Sequence, residues 1–189
     1  RIFGRAWVFI GHDSEVPSAG DYVTRRIGRR PVVLSRHSDG EVFVIHNSCG
    51  HRGAKVCVEA KGNTLPFRCP YHGWTFKNNG DLEAVSMPRG YGDSLDLSNP
   101  ALGMRRLKHV ENYRGFVFAC VADEVPSLAD WLGPAQKSID DIVDRSPSGK
   151  VLLNAGIHRY VFRGNWKFQL ENTVDMYHVP FSHESTLNP

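Results

Sequence analysis

Cys49-Gly50-His51 and Cys69-Pro70-Tyr71-His72-Gly73-Trp74 decide the reading of this chain. They spell C-x-H, seventeen residues, then C-x-x-H. Each box offers one thiolate and one imidazole. The C-x-H spacing puts two side chains on the same side of an extended loop. The C-x-x-H spacing does so around a tight turn, helped by Pro70. Gly50, Gly53 and Gly73 let such loops bring backbone N–H groups close to a metal site's sulfurs.

Two Cys and two His are the ligands of a [2Fe–2S] cluster in which histidines replace two cysteines on one iron. On this reading Cys49 and Cys69 hold the inner iron, and His51 and His72 the outer one. Zinc takes the same donor types. Its structural sites commonly open with C-x2–4-C and close with H-x3–5-H, whereas both boxes here are mixed.

The 189 residues suffice for one domain and part of another. Apolar content is 41% and charged content 23%, ordinary for a globular protein. The formal net charge is +3, with acids and bases interspersed. The densest basic cluster, Arg25-Arg26 with Arg29-Arg30, reads as a solvated face, so no nucleic acid is expected. The longest apolar run, Gly115 to Ala122, is too short to span a bilayer. No signal peptide is visible, and a cytoplasmic protein is the expectation. Cys57 and Cys120 read as small buried hydrophobes. The chain starts at Arg1 and stops at Pro189 after a polar cluster, which suggests part of a longer subunit.

Residues 21 to 46 read as β, with runs at Tyr22–Thr24, Pro31–Ser35 and Val42–Ile45. Asp39-Gly40 and Asn79-Gly80-Asp81 are turn signals. Tyr113 to Val121 reads as a strand buried on both faces. The character changes near Asp123. Leu128–Leu132 and Ser138–Val143 read as short helices, Val151–Phe162 as strand, and Trp166–Tyr177 as helix. The expected class is α+β: an all-β domain over 6–125, then the start of a helix-on-sheet catalytic domain over 126–189. Residues 1–5 are expected to pack with the latter.

A second constellation follows in Asp175, His178 and His183. Asp175 and His178 share a helical face. Pro180 disfavours helix at Val179 and predicts a bend that swings His183 towards His178. Two histidines so arranged, plus one carboxylate from elsewhere, make the facial triad of a non-haem Fe(II) site.

The boxes resemble those of the Rieske family, and Cys-Pro-Tyr-His-Gly-Trp resembles its ring-hydroxylating oxygenase branch. Asp175 to His183 is similar to the iron motif of the large α subunit of those dioxygenases. Arg5-Ala6-Trp7-Val8-Phe9 and Gly164-Asn165-Trp166-Lys167 extend the likeness over essentially the whole chain. The resemblance implies a Rieske [2Fe–2S] cluster on Cys49, His51, Cys69 and His72, and a mononuclear Fe(II) on His178 and His183. It implies that Asp175 bridges to a neighbouring subunit's cluster and that Asn172 lies beside the iron. It puts the third iron ligand after Pro189. Ala54 and Tyr71 stand where respiratory members carry a disulfide, and Trp74 where they carry a serine. The cluster potential is then expected low in the Rieske range of about −150 to +300 mV.

The implied partners are an NADH-dependent reductase, with or without a ferredoxin, a small β subunit and two further α subunits in a head-to-tail trimer. The implied reaction is cis-dihydroxylation of an aromatic ring with O2, the sequence standing somewhat nearer to benzoate- and anthranilate-type subunits. A Rieske-type monooxygenase or demethylase, a Rieske ferredoxin, and a zinc-stabilised binding module are the other readings. A ferredoxin would need no Asp175, His178 or His183.

Overall fold

The computed structural model describes residues 2–153, 158 and 160–187. Short runs of β-branched and aromatic residues build three antiparallel sheets. β2 (Asp21–Ile27), β3 (Arg30–Arg36) and β4 (Val42–His46) form a meander, with β5 (Lys61–Asn63) on the far edge of β2. The Asp39-Gly40 turn joins β3 to β4, with Gly40 at φ +90°. A second sheet sets β1 (Val8–His12) beside β10 (Phe116–Cys120) and β9 (His109–Tyr113). A small third sheet carries β6 (Phe67–Arg68), β7 (Thr75–Phe76) and β8 (Leu82–Ala84).

The expected strand at Tyr113–Val121 is a hairpin end followed by β10. Arg114 (φ 55°) and Gly115 (φ 92°) turn the chain, so Tyr113 closes β9. Nor is β10 buried throughout on both faces: Val117 and Ala119 are buried on one, while on the other Phe116 and Phe118 are half-covered beside Phe9 and Cys120 is buried.

Ile10, Val23, Leu34, Val44, Val117 and Ala119 form a core shared by the two larger sheets. A separate core of Phe67, Trp74, Phe76, Ile45 and Met104 surrounds the cysteines of both boxes. α1 (Leu128–Leu132) is capped by Ser127, whose hydroxyl accepts from the Asp130 N–H. Leu128 packs with Trp7 and Cys120, and Trp7 Nε1 donates to the Pro126 carbonyl. α2 (Ala135–Val143) begins three residues earlier than expected. Its Asp140 accepts from Tyr113, and Arg114 pairs with Asp140 and Asp144. Phe3 lies over Gly28 in the β2–β3 turn.

The chain divides into two compact units, 1–156 and 157–189. In the second, α3 (Trp166–Val174) starts at an Asn165 cap. It stops three residues short of the expected Tyr177, because Asp175 turns extended and its carboxylate accepts from the Tyr177 N–H. α4 (Val179–Ser182) and α5 (Glu184–Leu187) follow. The expected break therefore precedes Pro180, which sits in the first turn of α4, where its missing N–H costs nothing. The strand expected at Val151–Phe162 does not form among its described residues, and 154–157 and 159 lie outside them. Tyr160 and Val161 are exposed, and no described strand offers them a ladder. Among the described residues no helix is long and apolar enough to cross a membrane.

Candidate metal centres

The two boxes adopt the same hydrogen-bonded frame. Cys49 N–H donates to the Ala54 carbonyl, five residues on, and Gly53 N–H donates back to Cys49. Cys69 N–H donates to the Trp74 carbonyl, again five on, and Gly73 N–H donates back to Cys69. Gly53 (φ 70°) and Gly73 (φ 73°) occupy equivalent left-handed positions. Gly50 is required for another reason: a Cβ there would stand 2.1 Å from the Leu102 carbonyl oxygen.

These frames converge. The Cys49 and Cys69 thiols are buried and within hydrogen-bonding reach of each other. Burial pushes the Cys49 thiol up from its ordinary value, while the N–H groups of His51 and Arg52 pull it the other way. The His51 and His72 rings lie 4.8 Å apart. Burial, then His72 and Arg52, lower the His51 pKa and so favour the neutral ring, the form that ligates a metal. Its Nδ1 is buried with no hydrogen-bond partner. Two adjacent thiols and a buried, unengaged imidazole nitrogen fit an iron–sulfur cluster. The cluster's iron would take the thiolates and imidazoles, and its sulfides the loop N–H groups.

The sequence reading missed what holds the frames in place. Asn47 is 1% exposed. Its Oδ1 accepts from the N–H groups of Val56 and Cys57, and its Nδ2 donates to the Cys57 carbonyl. That ties both ends of the first loop together. Its only sequence signal was an amide just before the box. Trp74, at the end of the second box, stacks flat on His51 of the first at 4.8 Å. Its Nε1 donates to the Tyr91 hydroxyl. Ser86 donates to the His72 carbonyl. The segment 86–103 thus clamps both boxes, which no local pattern in it announces. Cys57 is buried with its thiol pushed up to about 12, so it behaves as a small hydrophobe. Cys120 is buried too.

In the second unit, Asp175 Oδ2 lies 3.2 Å from His178 Nδ1. The His178 and His183 rings are 5.5 Å apart. The α3–α4 break brings them together. The Tyr177 N–H, then His178, lower the Asp175 pKa. A carboxylate on Nδ1 orients the ring and leaves Nε2 for a metal. Asn172 is exposed on α3, three residues before Asp175. Two histidines with an orienting carboxylate fit part of a mononuclear iron site. Among the described residues no three of His, Cys, Asp and Glu converge on a single ion, so the described chain offers no third ligand.

Residues 6–98 match the model of the Rieske [2Fe-2S] domain, and 128–189 that of the ring hydroxylating alpha subunit (catalytic domain). The N,N-dimethyl phenylurea N-demethylase subunit alpha of Sphingobium sp. (strain YBL2) is 43% identical over 98% of this chain and 40% of its own length. The toluate 1,2-dioxygenase subunit alpha of Pseudomonas putida is 40% identical over 97% of this chain and 40% of its own. The solved naphthalene 1,2-dioxygenase from Rhodococcus sp., bound to indole, is 39% identical with a TM-score of 0.89, covering 99% of this chain and 42% of that one. The chain spans about two fifths of the length of these relatives.

Proposed function

Because this chain belongs to the α subunits of Rieske ring-hydroxylating oxygenases, we propose that its first unit carries electrons to the oxygen-activating iron of a neighbouring α subunit, and that its own second unit holds such an iron. The carrying observation is the paired loop frame that brings Cys49, His51, Cys69 and His72 together. When bound, the cluster supplies one-electron transfer and the mononuclear iron supplies O2 activation.

The chain's own residues do the rest. Gly53 and Gly73 hold the two loops in equivalent left-handed turns, and in the first the His51 and Arg52 N–H groups reach the Cys49 thiol. Trp74 and Tyr91 fix the plane of His51. Asp175 holds the His178 proton on Nδ1, and its carboxylate is the group suited to meet a neighbouring subunit's histidine. His178 and His183 are the iron ligands, and Asn172, on α3, is the residue beside the iron.

The reaction this supports is cis-dihydroxylation of an aromatic ring. Toluate, anthranilate and naphthalene enzymes recur among the relatives. A carboxylated benzene is the substrate class proposed, fed by an NADH-dependent reductase, with a β subunit and an α trimer as the assembly. One observation favours a second reading, oxidative N-demethylation: the demethylase subunit is as similar as any dioxygenase reported above.

EPR of the anaerobically prepared, dithionite-reduced protein tests the first unit. A rhombic signal of low average g, lost in Cys69→Ser, is expected. A silent spectrum with stoichiometric zinc would replace electron transfer with a structural metal. Product analysis with benzoate and with an N,N-dimethylphenylurea separates the two chemistries in the natural α subunit.

A further inference from the structure

The basic run Arg25–Arg30 reads in sequence as a solvated face, and neither metal centre uses it. The fold divides its members. Arg25 turns inward to an ion pair with Glu15. Arg30, at the start of β3, lines a cavity of about 200 Å3 with Arg105, Arg106, Lys108 and His46. Asp123 is the one carboxylate in that lining. Arg106 is already committed to Asp81. Arg30, Arg105 and Lys108 make no ion pair among the described residues. Their field is felt locally: after burial, Arg105 and Arg30 are what lower the His46 pKa.

The position of this groove gives it a use. His46 ends β4 three residues before Cys49. Arg105 follows Gly103 and Met104, and the Gly103 carbonyl oxygen is 2.7 Å from where a Gly50 Cβ would stand. The cations therefore share a continuous backbone with the first box. Exposed Arg26 and Arg29 extend the charge along the β2–β3 turn, beyond what one small anion would need. A charged strip spread over adjacent strands suits a protein surface. Electron-transfer encounters are small, short-lived and steered by charge.

We propose that this groove is the docking surface for an acidic electron-donor protein, with Arg30, Arg105 and Lys108 as its principal contacts. The proposal rests on the Rieske reading of the boxes. One electron leaves the donor's reduced centre, which is oxidised, and enters this chain's cluster, which is reduced. No bond forms or breaks.

The test uses the cluster-loaded chain and an acidic plant-type [2Fe–2S] ferredoxin as donor. The second-order rate of cluster reduction is followed by stopped flow at low and high salt. Arg105→Glu, Lys108→Glu and the milder Arg105→Gln are compared with Arg145→Glu, a charge reversal outside the groove. Affinity for the oxidised ferredoxin is measured by calorimetry. The groove reversals should slow reduction tenfold or more, weaken binding in parallel and flatten the salt dependence. Arg145→Glu should stay within twofold, and dithionite reduction should be unchanged throughout. Equal rates for groove and control variants would overturn the proposal while leaving the cluster assignment standing. Altered sedimentation with an unaltered donor rate would overturn it too, giving the groove to a second copy of the chain. A chain that loads no cluster would end the Rieske reading, and this inference with it.

Discussion

Gly50 and Asn47 carry more of the cluster site than their chemistry advertises. A Gly50→Ala methyl would overlap the Leu102 carbonyl, a backbone atom that cannot rotate away. The expected cost is about 3 kcal/mol, with loss of cluster loading read by iron content and the visible spectrum. Asn47→Ala strands two buried N–H groups and one carbonyl. It should lower the stability of the first unit by about 3 kcal/mol in urea titration. His46 gives a pH signature. Its folded pKa lies below the unfolded 6.5, so the unfolded chain binds the proton first. Stability falls as pH drops below about 6.5 and stops falling once His46 protonates in the fold. His46→Gln should remove that part of the acid slope, seen as the difference between the two midpoint-against-pH curves. The two boxes were legible because the spacing of their cysteines and histidines is local. Gly50 was legible only as a flexible residue, since the carbonyl it must avoid lies some fifty positions away. Asn47 looked like any polar loop residue, because its partners are backbone groups.

Among the elements, the strands with concentrated β-branched and aromatic runs, β2 to β4, stand where those runs place them. Failures came where one element ends and another starts. Tyr113–Val121 reads as one apolar run because turn residues Arg114 and Gly115 interrupt it without a familiar turn dipeptide. The Trp166–Tyr177 periodicity continues past the point where the Asp175 side chain captures the Tyr177 N–H and stops the helix. That capture makes a clean experiment. Asp175→Asn keeps an oxygen acceptor for the turn but removes the carboxylate facing His178. In the natural α subunit it should leave the cluster's EPR signal and the iron content intact and cut product formation more than tenfold. Normal turnover would refute the bridging role.

Across the whole molecule, the change in sequence character near Asp123 marks where strands give way to helices. The unit holding the boxes runs on to residue 156. α1 and α2 bury Leu128 and Val143 against it, and Arg114 reaches Asp140 and Asp144. A chain of residues 1–156 should load the cluster and melt with the first unit's full cooperativity. Ending at 125 removes two buried apolar side chains, about 3–6 kcal/mol, and should lower Tm by about 10 °C. Thermal melts of the two lengths decide between a boundary at 125 and one at 156. Sequence patterning is blind to this distinction, since a helix that docks on a sheet looks locally like one that opens a new domain.

β1 pairs with β10, Val8 opposite Ala119, across more than a hundred residues of intervening chain. A growing polypeptide cannot close this sheet until residue 120 has left the ribosome. By then both boxes and the β2–β4 meander have been made, and their contacts are far more local. Order of assembly follows from topology: meander and loops first, N-terminal strand last. Loop-closure entropy places such a chain in the slow range of folding, milliseconds to seconds. Until that late step β10 shows a bare, apolar edge, so the nascent protein is most prone to aggregate just before its first strand comes home.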